Sequence, residues 1–341
     1  MSGSRSDAAR RKVVVITGGT QGIGRATAQA FARDGWAVAV LSRGEARLRS
    51  TEAELSALGG PALALKVDVA DATAVDAAAD QIEQDLGPIS VWVNNAMATV
   101  VAPADQISPD EFRRVTDVTY HGQVFGTLAA LRHMRPRNRG HIIQVSSGLA
   151  IRSAPLQAAY CGAKHAVTGF TDSLRTELIH DRLDVNLTIV YLPAVNTPQF
   201  ERSRNHTGHA QNAPDPVYDP RLCAAAILSA AHSPVRDIWV GRSVLEMAAA
   251  QIVAPGFADQ QAAKMWEPQL RPGPPSMPDG NLFEPGLGDP GIDGPFSDRV
   301  NPTRKEFFTS RARDAAVAGA AGLFGLLALT VAPLRKRSRR V

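Results

Sequence analysis

Three residues of this chain have types and a spacing that suit acid–base chemistry. Tyr160 and Lys164 stand four positions apart, and Ser147 lies thirteen positions before the tyrosine. On a helix, residues at i and i+4 share one face, so the phenol and the ammonium group would project into the same cleft. A nearby cation favours the phenolate and lowers the pKa of a tyrosine from about 10 toward the working range. Such a tyrosine can give or take a hydroxyl proton while carbon exchanges hydride.

A glycine-rich turn precedes this trio and suits a phosphate group. Gly18, Gly22 and Gly24 follow the β-branched run Val13–Thr17, and a helical pattern begins at the last of these glycines. Glycine permits the tight turn and lets the backbone approach a pyrophosphate, which the free N–H groups at a helix N-terminus bind. Three further residues of the turn belong to the same candidate site: Thr20, Gln21 and Ile23. The turn and the trio together predict hydride transfer with a nicotinamide cofactor.

The residues after the second predicted strand favour NADP over NAD. Sheets that bind NAD usually carry an acidic residue about 20 positions beyond the glycine turn, but this chain has Leu41-Ser42-Arg43 there. Ser42 can hydrogen-bond a 2′-phosphate, and Arg43 can pair with that phosphate or stack on adenine. The alternative is a solvated arginine at the start of a helix.

The alternation of short β-branched runs with helical patterns predicts an α/β fold with a doubly wound parallel sheet. Ligands bind such sheets at the carboxyl ends of the strands, where Asp68-Val69, Asn94-Asn95-Ala96 and Ser147 are expected. Asp68 either accepts a hydrogen bond from the adenine amine or caps the next helix. Asn94 and Ala96 are expected to anchor the sheet and to line the cofactor channel.

Composition narrows the class of protein. The 341 residues carry a net charge of +4, but five positive charges lie in the last seven residues, so the body is about neutral and no nucleic-acid partner is expected. Cys161 and Cys223 form neither a disulfide framework nor a metal cluster, and they indicate a reducing compartment. His206 and His209 lack accompanying ligands, so no metal is predicted. The polar, basic start of the chain has no apolar signal run, which predicts a cytoplasmic catalytic domain.

The chain divides into four predicted regions. Residues 1–11 form a flexible basic arm, 12–260 the catalytic domain, and 261–305 a linker rich in proline and glycine. Residues 306–341 contain an apolar helix with a basic tail, which is a candidate membrane anchor. The 20 residues of 315–334 carry no charge, and at about 1.5 Å per residue they could cross a hydrocarbon core about 30 Å thick. A soluble helix docked on the body or on a partner is the alternative.

The chain resembles the short-chain dehydrogenase/reductase family, of the classical type with a Thr-Gly-x3-Gly-x-Gly turn. The matching elements lie within about residues 12 to 245 and are Thr17-Gly18, Gly22, Gly24, Asp68, Asn94-Asn95-Ala96, Ser147, Tyr160 and Lys164. The resemblance implies a Rossmann fold of about seven strands, here with a C-terminal extension, and a homo-oligomer. It also implies that Tyr160 is the general acid/base and that Ser147 orients the substrate oxygen. Lys164 would hold the cofactor ribose and lower the pKa of the tyrosine.

Three positions depart from the family pattern. Met97 stands where a glycine is usual, and it adds bulk near the nicotinamide side. Thr119 stands where the family often has an asparagine that holds a water of the proton relay, and its backbone carbonyl is expected to hold that water instead. After the sixth predicted strand, Leu192-Pro193 replaces the usual Pro-Gly pair, whereas Thr197 fits the contact with the nicotinamide carboxamide.

The residues together predict an NADP-dependent oxidoreductase that interconverts a carbonyl and a secondary alcohol of a small, lipophilic substrate. An NADP(H)-binding sensor with little catalysis is one alternative, which the three departures motivate. A membrane-anchored scaffold is another, which the apolar tail motivates. The intact set of Ser147, Tyr160 and Lys164 argues against the sensor.

Overall fold

The main sheet of the computed structural model lies at the centre of residues 12–300, 306–311 and 314, which the structure describes. Its strands are β1 (Val13–Thr17), β2 (Ala37–Ser42), β3 (Ala62–Lys66), β4 (Ile89–Asn94), β5 (Gly140–Ser147), β6 (Val185–Leu192), β7 (Asp237–Val240) and β8 (Phe307–Thr309). Their spatial order is β8-β7-β6-β5-β4-β1-β2-β3. Neighbours pair in parallel, except that β8 is antiparallel to β7. The predicted doubly wound sheet is confirmed, and β8 adds an edge strand to the seven expected.

Helices connect the parallel strands. They are α1 (Gly22–Arg33), α2 (Glu45–Ala57), α3 (Ala72–Asp85), α4 (Pro109–Thr116), α5 (Gly122–Arg137), α6 (Ala158–His180), α7 (Pro220–His232), α8 (Arg242–Val253) and α9 (Pro255–Ala263). A π-helical turn, Asp117–His121, joins α4 to α5. Shorter helical turns are Ala104–Gln106, Gly148–Ala150, Gln199–Arg202, Glu267–Gln269 and Ser297–Arg299. The described residues also form two small strand pairs: Val100–Val101 with Arg204–Asn205, and Ala210–Gln211 with Leu270–Arg271.

Both faces of the sheet are buried, because its inner strands carry apolar side chains on successive positions. All five residues of β1 are buried. One face of the sheet packs against Phe31 of α1 and Ile227 of α7. The other packs against Ile82 of α3 and Met134 of α5. This packing holds the carboxyl ends of the strands in place, and with them the polar side chains that follow each strand.

The proline- and glycine-rich segment has little regular structure, and it packs on the catalytic domain. Leu282, Ile292 and Phe296 are buried, with 0%, 9% and 3% of their surface exposed. Each enters a different apolar cluster of the domain. Burial of three large side chains therefore binds the segment to the domain along its length.

Within the described ranges, no helix combines the length and the apolar character that crossing a membrane requires. The candidate anchor, 315–334, lies outside the described residues. The predicted basic arm, 1–11, also lies outside them.

Candidate active site

A cavity of about 790 Å³ lies at the carboxyl ends of the inner strands. Most residues that the sequence singles out line it: Gly18, Thr20, Gln21, Gly22, Ile23, Gly24, Ser42, Arg43, Asp68, Val69, Ala96, Ser147, Tyr160, Lys164 and Thr197. Asn94 and Thr119 are absent from its lining. The strand order explains the gathering, because β1, β2, β4, β5 and β6 end on the same edge of the sheet.

Strand β5 and helix α6 bring the acid–base trio together. Ser147 is the last residue of β5, and Tyr160 and Lys164 lie in the first two turns of α6. The side chain of Ser147 lies close enough to the phenol of Tyr160 to lower the pKa of that phenol. Lys164 Nζ donates to the carbonyl oxygen of Val145 at 2.7 Å and lies 5.7 Å from the centroid of the tyrosine ring. The trio therefore forms one contiguous group in the wall of the cavity.

Burial dominates the pKa values of the tyrosine and the lysine. Desolvation raises the pKa of Tyr160 above its ordinary value, and the side chain of Ser147 opposes that rise. Desolvation also lowers the pKa of Lys164 to about 7. A lysine with that pKa is only partly charged at neutral pH, so it exerts less pull on the phenol. Burial thus acts against the lowered tyrosine pKa that the sequence predicts.

The glycine turn has almost no room for side chains. A Cβ added at Gly24 would lie 2.2 Å from the carbonyl oxygen of Gly18, and one at Gly18 would lie 2.9 Å from the Cα of Ala96. Gly18 also has φ of +65°, which disfavours other residues. Helix α1 begins at Gly22, whose N–H donates to the carbonyl oxygen of Gly291. The N–H groups of Ile23 and Gly24, next in the first turn, have no intrahelical partner and can bind an anion.

Asn95, which the sequence names only as part of its motif, braces this turn. Its Nδ2 donates to the carbonyl oxygens of Thr17 at 3.0 Å and of Gly18 at 3.2 Å. The Oγ1 of Thr17 in turn accepts from the backbone N–H of Asn95 at 2.9 Å. These bonds join the ends of β1 and β4, so the turn keeps its shape through a contact with the neighbouring strand.

Two predicted site residues support the site from outside the cavity. Asn94 is fully buried, and its Nδ2 donates to Thr127 Oγ1 and to Gln144 Oε1, both at 3.0 Å. Thr119, in the π-helical turn, donates from Oγ1 to the carbonyl of Ala98 and accepts from the N–H of that residue, both at 2.9 Å. The structure brings neither side chain to the cavity, because internal hydrogen bonds hold both.

The carboxylate of Asp68 binds the side chain of Arg114 and the backbone N–H of Ala70, two residues further along the chain. Its Oδ2 accepts from Arg114 Nη2 at 2.5 Å, and its Oδ1 accepts from the N–H of Ala70 at 3.0 Å. The alternative that Asp68 caps the next helix is wrong. Asp71 caps α3 instead, since its side chain accepts from the N–H of Ala74 at 3.0 Å.

The residues beyond β2 adjoin a distant part of the chain. Ser42 Oγ accepts from Thr20 Oγ1 at 2.9 Å, inside the cavity wall. Arg43 donates from Nη1 to the carbonyl oxygen of Phe283 and from Nη2 to that of Asn281, both at 2.6 Å. The solvated arginine considered as an alternative is therefore a partly buried one that holds the C-terminal segment.

Thr197, which the sequence predicts to contact the nicotinamide carboxamide, lies against the glycine turn. A Cβ added at Gly22 would meet the Thr197 side chain at 3.2 Å. On its other side, Gly294 approaches so closely that an added Cβ would lie 2.3 Å from the Thr197 carbonyl oxygen. The C-terminal segment therefore fixes this residue as well.

Helices α8 and α9, to which the sequence assigns no role, cover the remaining part of the cavity. These helices contribute both apolar and polar lining residues: Met247, Ala250, Phe257, Ala258 and Ala262, with Ser243, Glu246 and Gln261. Met97, Leu149 and Met265 add further apolar side chains to the lining. Arg152 ties the two helices to the body, since it donates to Gln251 Oε1 at 2.9 Å and pairs with Asp259. The apolar residues of α8 were the only sequence signal for this role, and tertiary packing decides which side of the cavity the helix covers.

The family model for short chain dehydrogenases matches residues 12–208. The uncharacterized oxidoreductase YxnA of Bacillus subtilis is 30% identical over 284 residues, which are 81% of this chain and 79% of that protein. The dehydrogenase/reductase SDR family member 7B of Bos taurus is 34% identical over 187 residues, 53% of this chain and 57% of that protein. A crystal structure of a metagenomic short-chain oxidoreductase in complex with NADP superposes with a TM-score of 0.56 at 25% identity, covering 66% of this chain and 94% of that one.

These matches, together with the geometry of the site, define the family of the protein. The chain belongs to the short-chain dehydrogenase/reductase family, of the classical type. It is an NAD(P)-dependent oxidoreductase, as the named relatives of this family are oxidoreductases.

Proposed function

We propose that the protein is an NADP-dependent oxidoreductase that interconverts a carbonyl compound and a secondary alcohol. The observation that carries the proposal is the grouping of Ser147, Tyr160 and Lys164 in the wall of the cavity that also contains the glycine turn. The turn fits a dinucleotide, because only glycine fits where Gly24 packs on the Gly18 carbonyl, and the first turn of α1 then presents N–H groups to the cavity.

The chain's own residues would handle the proton. A bound nicotinamide supplies or accepts the hydride at the carbonyl carbon. Ser147 hydrogen-bonds the substrate oxygen, and Tyr160 gives that oxygen a proton during reduction or takes it during oxidation. Burial, which raises the pKa of Tyr160, keeps the phenol protonated at neutral pH, which is the state that gives a proton during reduction. Lys164 would hold the ribose, and the backbone carbonyl of Thr119 would hold a relay water.

The preference for NADP rests on the residues at the end of β2. Ser42 and Arg43 line the cavity, and neither carries a negative charge that would repel a 2′-phosphate. Asp68 lies 3.9 Å from Arg43, but Arg114 binds the same carboxylate oxygen at 2.5 Å. The NADP complex of the metagenomic relative supports the same preference.

The substrate would be lipophilic. Three methionines are among the residues that line the cavity: Met97, Met247 and Met265. Methionine side chains are flexible and polarisable, so they adapt to apolar groups of different shape. Membrane association through 315–334 would bring the domain close to such substrates, and a homo-oligomer is the assembly proposed for it.

The test compares Tyr160→Phe with the wild type. NADPH and NADH are titrated by fluorescence, and oxidation of NADPH is then followed with a panel of aldehydes, ketones and quinones. We expect Tyr160→Phe to keep its NADPH affinity and to lose turnover by about 100-fold or more, because the phenol that moves the proton is gone. Tyr120→Phe, outside the cavity lining, is the matched control and should turn over normally.

Two outcomes would contradict the proposal. Near-normal turnover by Tyr160→Phe would remove the tyrosine from the mechanism. Tight NADPH binding by the wild type without turnover of any panel member would favour the cofactor-binding sensor, a role compatible with the internal hydrogen bonds of Thr119.

A further inference from the structure

Residues 281–291, here called the strap, lie against the cofactor end of the cavity. At one end of the strap, Leu282 is fully buried in an apolar cluster that includes Val69 and Val118. At the other end, the carbonyl oxygen of Gly291 accepts from the N–H of Gly22, in the glycine turn, at 3.0 Å. Asn281 and Pro285 line the cavity itself. The strap is therefore attached on both sides of the site where a dinucleotide would enter.

Arginines of the catalytic domain hold the strap by its main chain. Arg43 donates to the carbonyl oxygens of Asn281 and Phe283. Arg47, on α2, donates from Nη1 to that of Gly286 at 3.1 Å. Arg202 donates from Nη1 to the carbonyl oxygen of Leu287 at 3.0 Å. Carbonyl oxygens satisfy hydrogen bonds, but they do not neutralise the guanidinium charges that they orient.

Arg47 has donor capacity left over. Its side chain lines the cavity, the residue is only 6% exposed, and its Nε is buried without a hydrogen-bond partner. Desolvation, followed by the positive charges of Arg202 and Arg43, lowers the pKa of its guanidinium, and the negative charge of Asp289 opposes this only in part. The Arg47 side chain lines the cavity close to two other guanidinium groups, and an anion in the cavity beside them would offset their mutual repulsion.

A phosphate monoester has the required chemistry. It presents several acceptor oxygens and up to two negative charges, and arginine forks bind such groups in bidentate geometry. Arg43 and Arg47 line the same cavity as Ser42, the last residue of β2, and a dinucleotide's adenosine ribose binds at the end of this strand in sheets of this kind.

We propose that the strap is a wall of the cofactor site and that Arg47 binds the 2′-phosphate of NADP beside Arg43. This inference rests on the proposed preference for NADP. Asp289 acts as a positioning residue, since its carboxylate accepts from Arg25 Nη1 at 2.5 Å and from Ser50 Oγ at 2.6 Å. Those two bonds fasten the strap to α1 and α2, and so keep the carbonyl oxygens that orient the two arginines in place.

The test measures binding without catalysis. Adenosine 2′,5′-bisphosphate and 5′-AMP are titrated calorimetrically into the full chain. Arg47→Gln should bind the bisphosphate about tenfold or more weakly than the wild type and should bind AMP unchanged. Arg47→Lys, which keeps the charge, should recover part of the loss. Arg49→Gln is the matched control, because Arg49 is exposed on the same helix, and it should bind both ligands normally.

A second variant tests the strap. Asp289→Asn should weaken both ligands severalfold and speed amide hydrogen exchange in 281–291, because the strap loses the charges that fasten it. Faster exchange in 281–291 with unchanged affinity for both ligands would show that the strap is no wall of the site, and unchanged exchange would show that Asp289 does not fasten it.

The outcomes separate this inference from the proposed function. A wild type that binds the bisphosphate no better than AMP would refute the NADP preference itself, and the role of Arg47 with it. A wild type that prefers the bisphosphate, together with an Arg47→Gln variant that keeps this preference, would refute only the role of Arg47.

Discussion

Replacing Lys164 with methionine should flatten the pH dependence of stability between pH 7 and 9.5. Burial lowers the pKa of Lys164 from 10.5 to about 7. Between these values the unfolded chain binds a proton that the folded chain does not, so the free energy of unfolding rises with pH. One proton corresponds to about 1.4 kcal/mol per pH unit, and the rise from pH 7 to 9.5 is therefore about 3 kcal/mol. Methionine is similar in length but has no proton to lose.

The assay is urea unfolding, followed by circular dichroism, of both proteins at several pH values in this range. Burial raises the pKa values of Cys161 and Cys223, so these thiols lower the stability of both proteins as the pH rises past about 9. Their effect cancels in the difference between wild type and variant. That difference should change by about 3 kcal/mol in favour of the wild type as the pH rises. Parallel pH profiles would refute the reasoning, because they would mean that folded Lys164 keeps its proton.

Three further predictions concern the glycine turn, the buried His141, and helices α8 and α9 over the cavity. Gly24→Ala should weaken NADPH and NADH together by about tenfold or more, because its Cβ would lie 2.2 Å from the Gly18 carbonyl oxygen; normal titrations of both would contradict this. Burial lowers the pKa of His141 to about 4, so the unfolded chain takes up the proton first as the pH falls, and unfolding free energy should drop by about 3 kcal/mol from pH 6.5 to 4. His141→Gln, which can keep a bond to Thr188, should lose that drop, and an equal drop in both proteins would be inconsistent with it. Arg152→Gln should raise KM for bulky ketones more than for small ones, because Arg152 ties α8 and α9, which cover the cavity, to the body; equal KM changes would count against a role of these two helices in substrate binding.

Local pattern was sufficient for much of the architecture. The β-branched run of β1 and the glycines after it predict the first strand and the turn, and Val13–Thr17 forms that strand. Tyr160 and Lys164 share a helix because their spacing matches one helical turn, as α6 shows. These features depend on residues near one another in the chain, so the sequence contains the information directly.

The roles of residues whose partners are distant in sequence could not be predicted from local pattern. Asn94 and Asn95 are adjacent, yet one side chain is bound inside the core and the other braces the glycine turn. Successive residues at the end of a strand point to opposite sides, and packing decides which side carries the site. Packing likewise decides that Asp68 binds Arg114, on α4, and does not cap a helix.

The sequence by itself determined the fold class, the family and the residues able to move a proton, because periodicity, turn chemistry and motif spacing are local properties. Tertiary structure alone decided the pKa values and the enclosure of the cofactor end. Burial sets the pKa of Lys164 and of Tyr160, and burial is a property of the packed molecule. Arg43 meets the carbonyl oxygen of a residue 240 positions away. No local pattern predicts that contact, because it forms only when the C-terminal segment packs on the completed sheet.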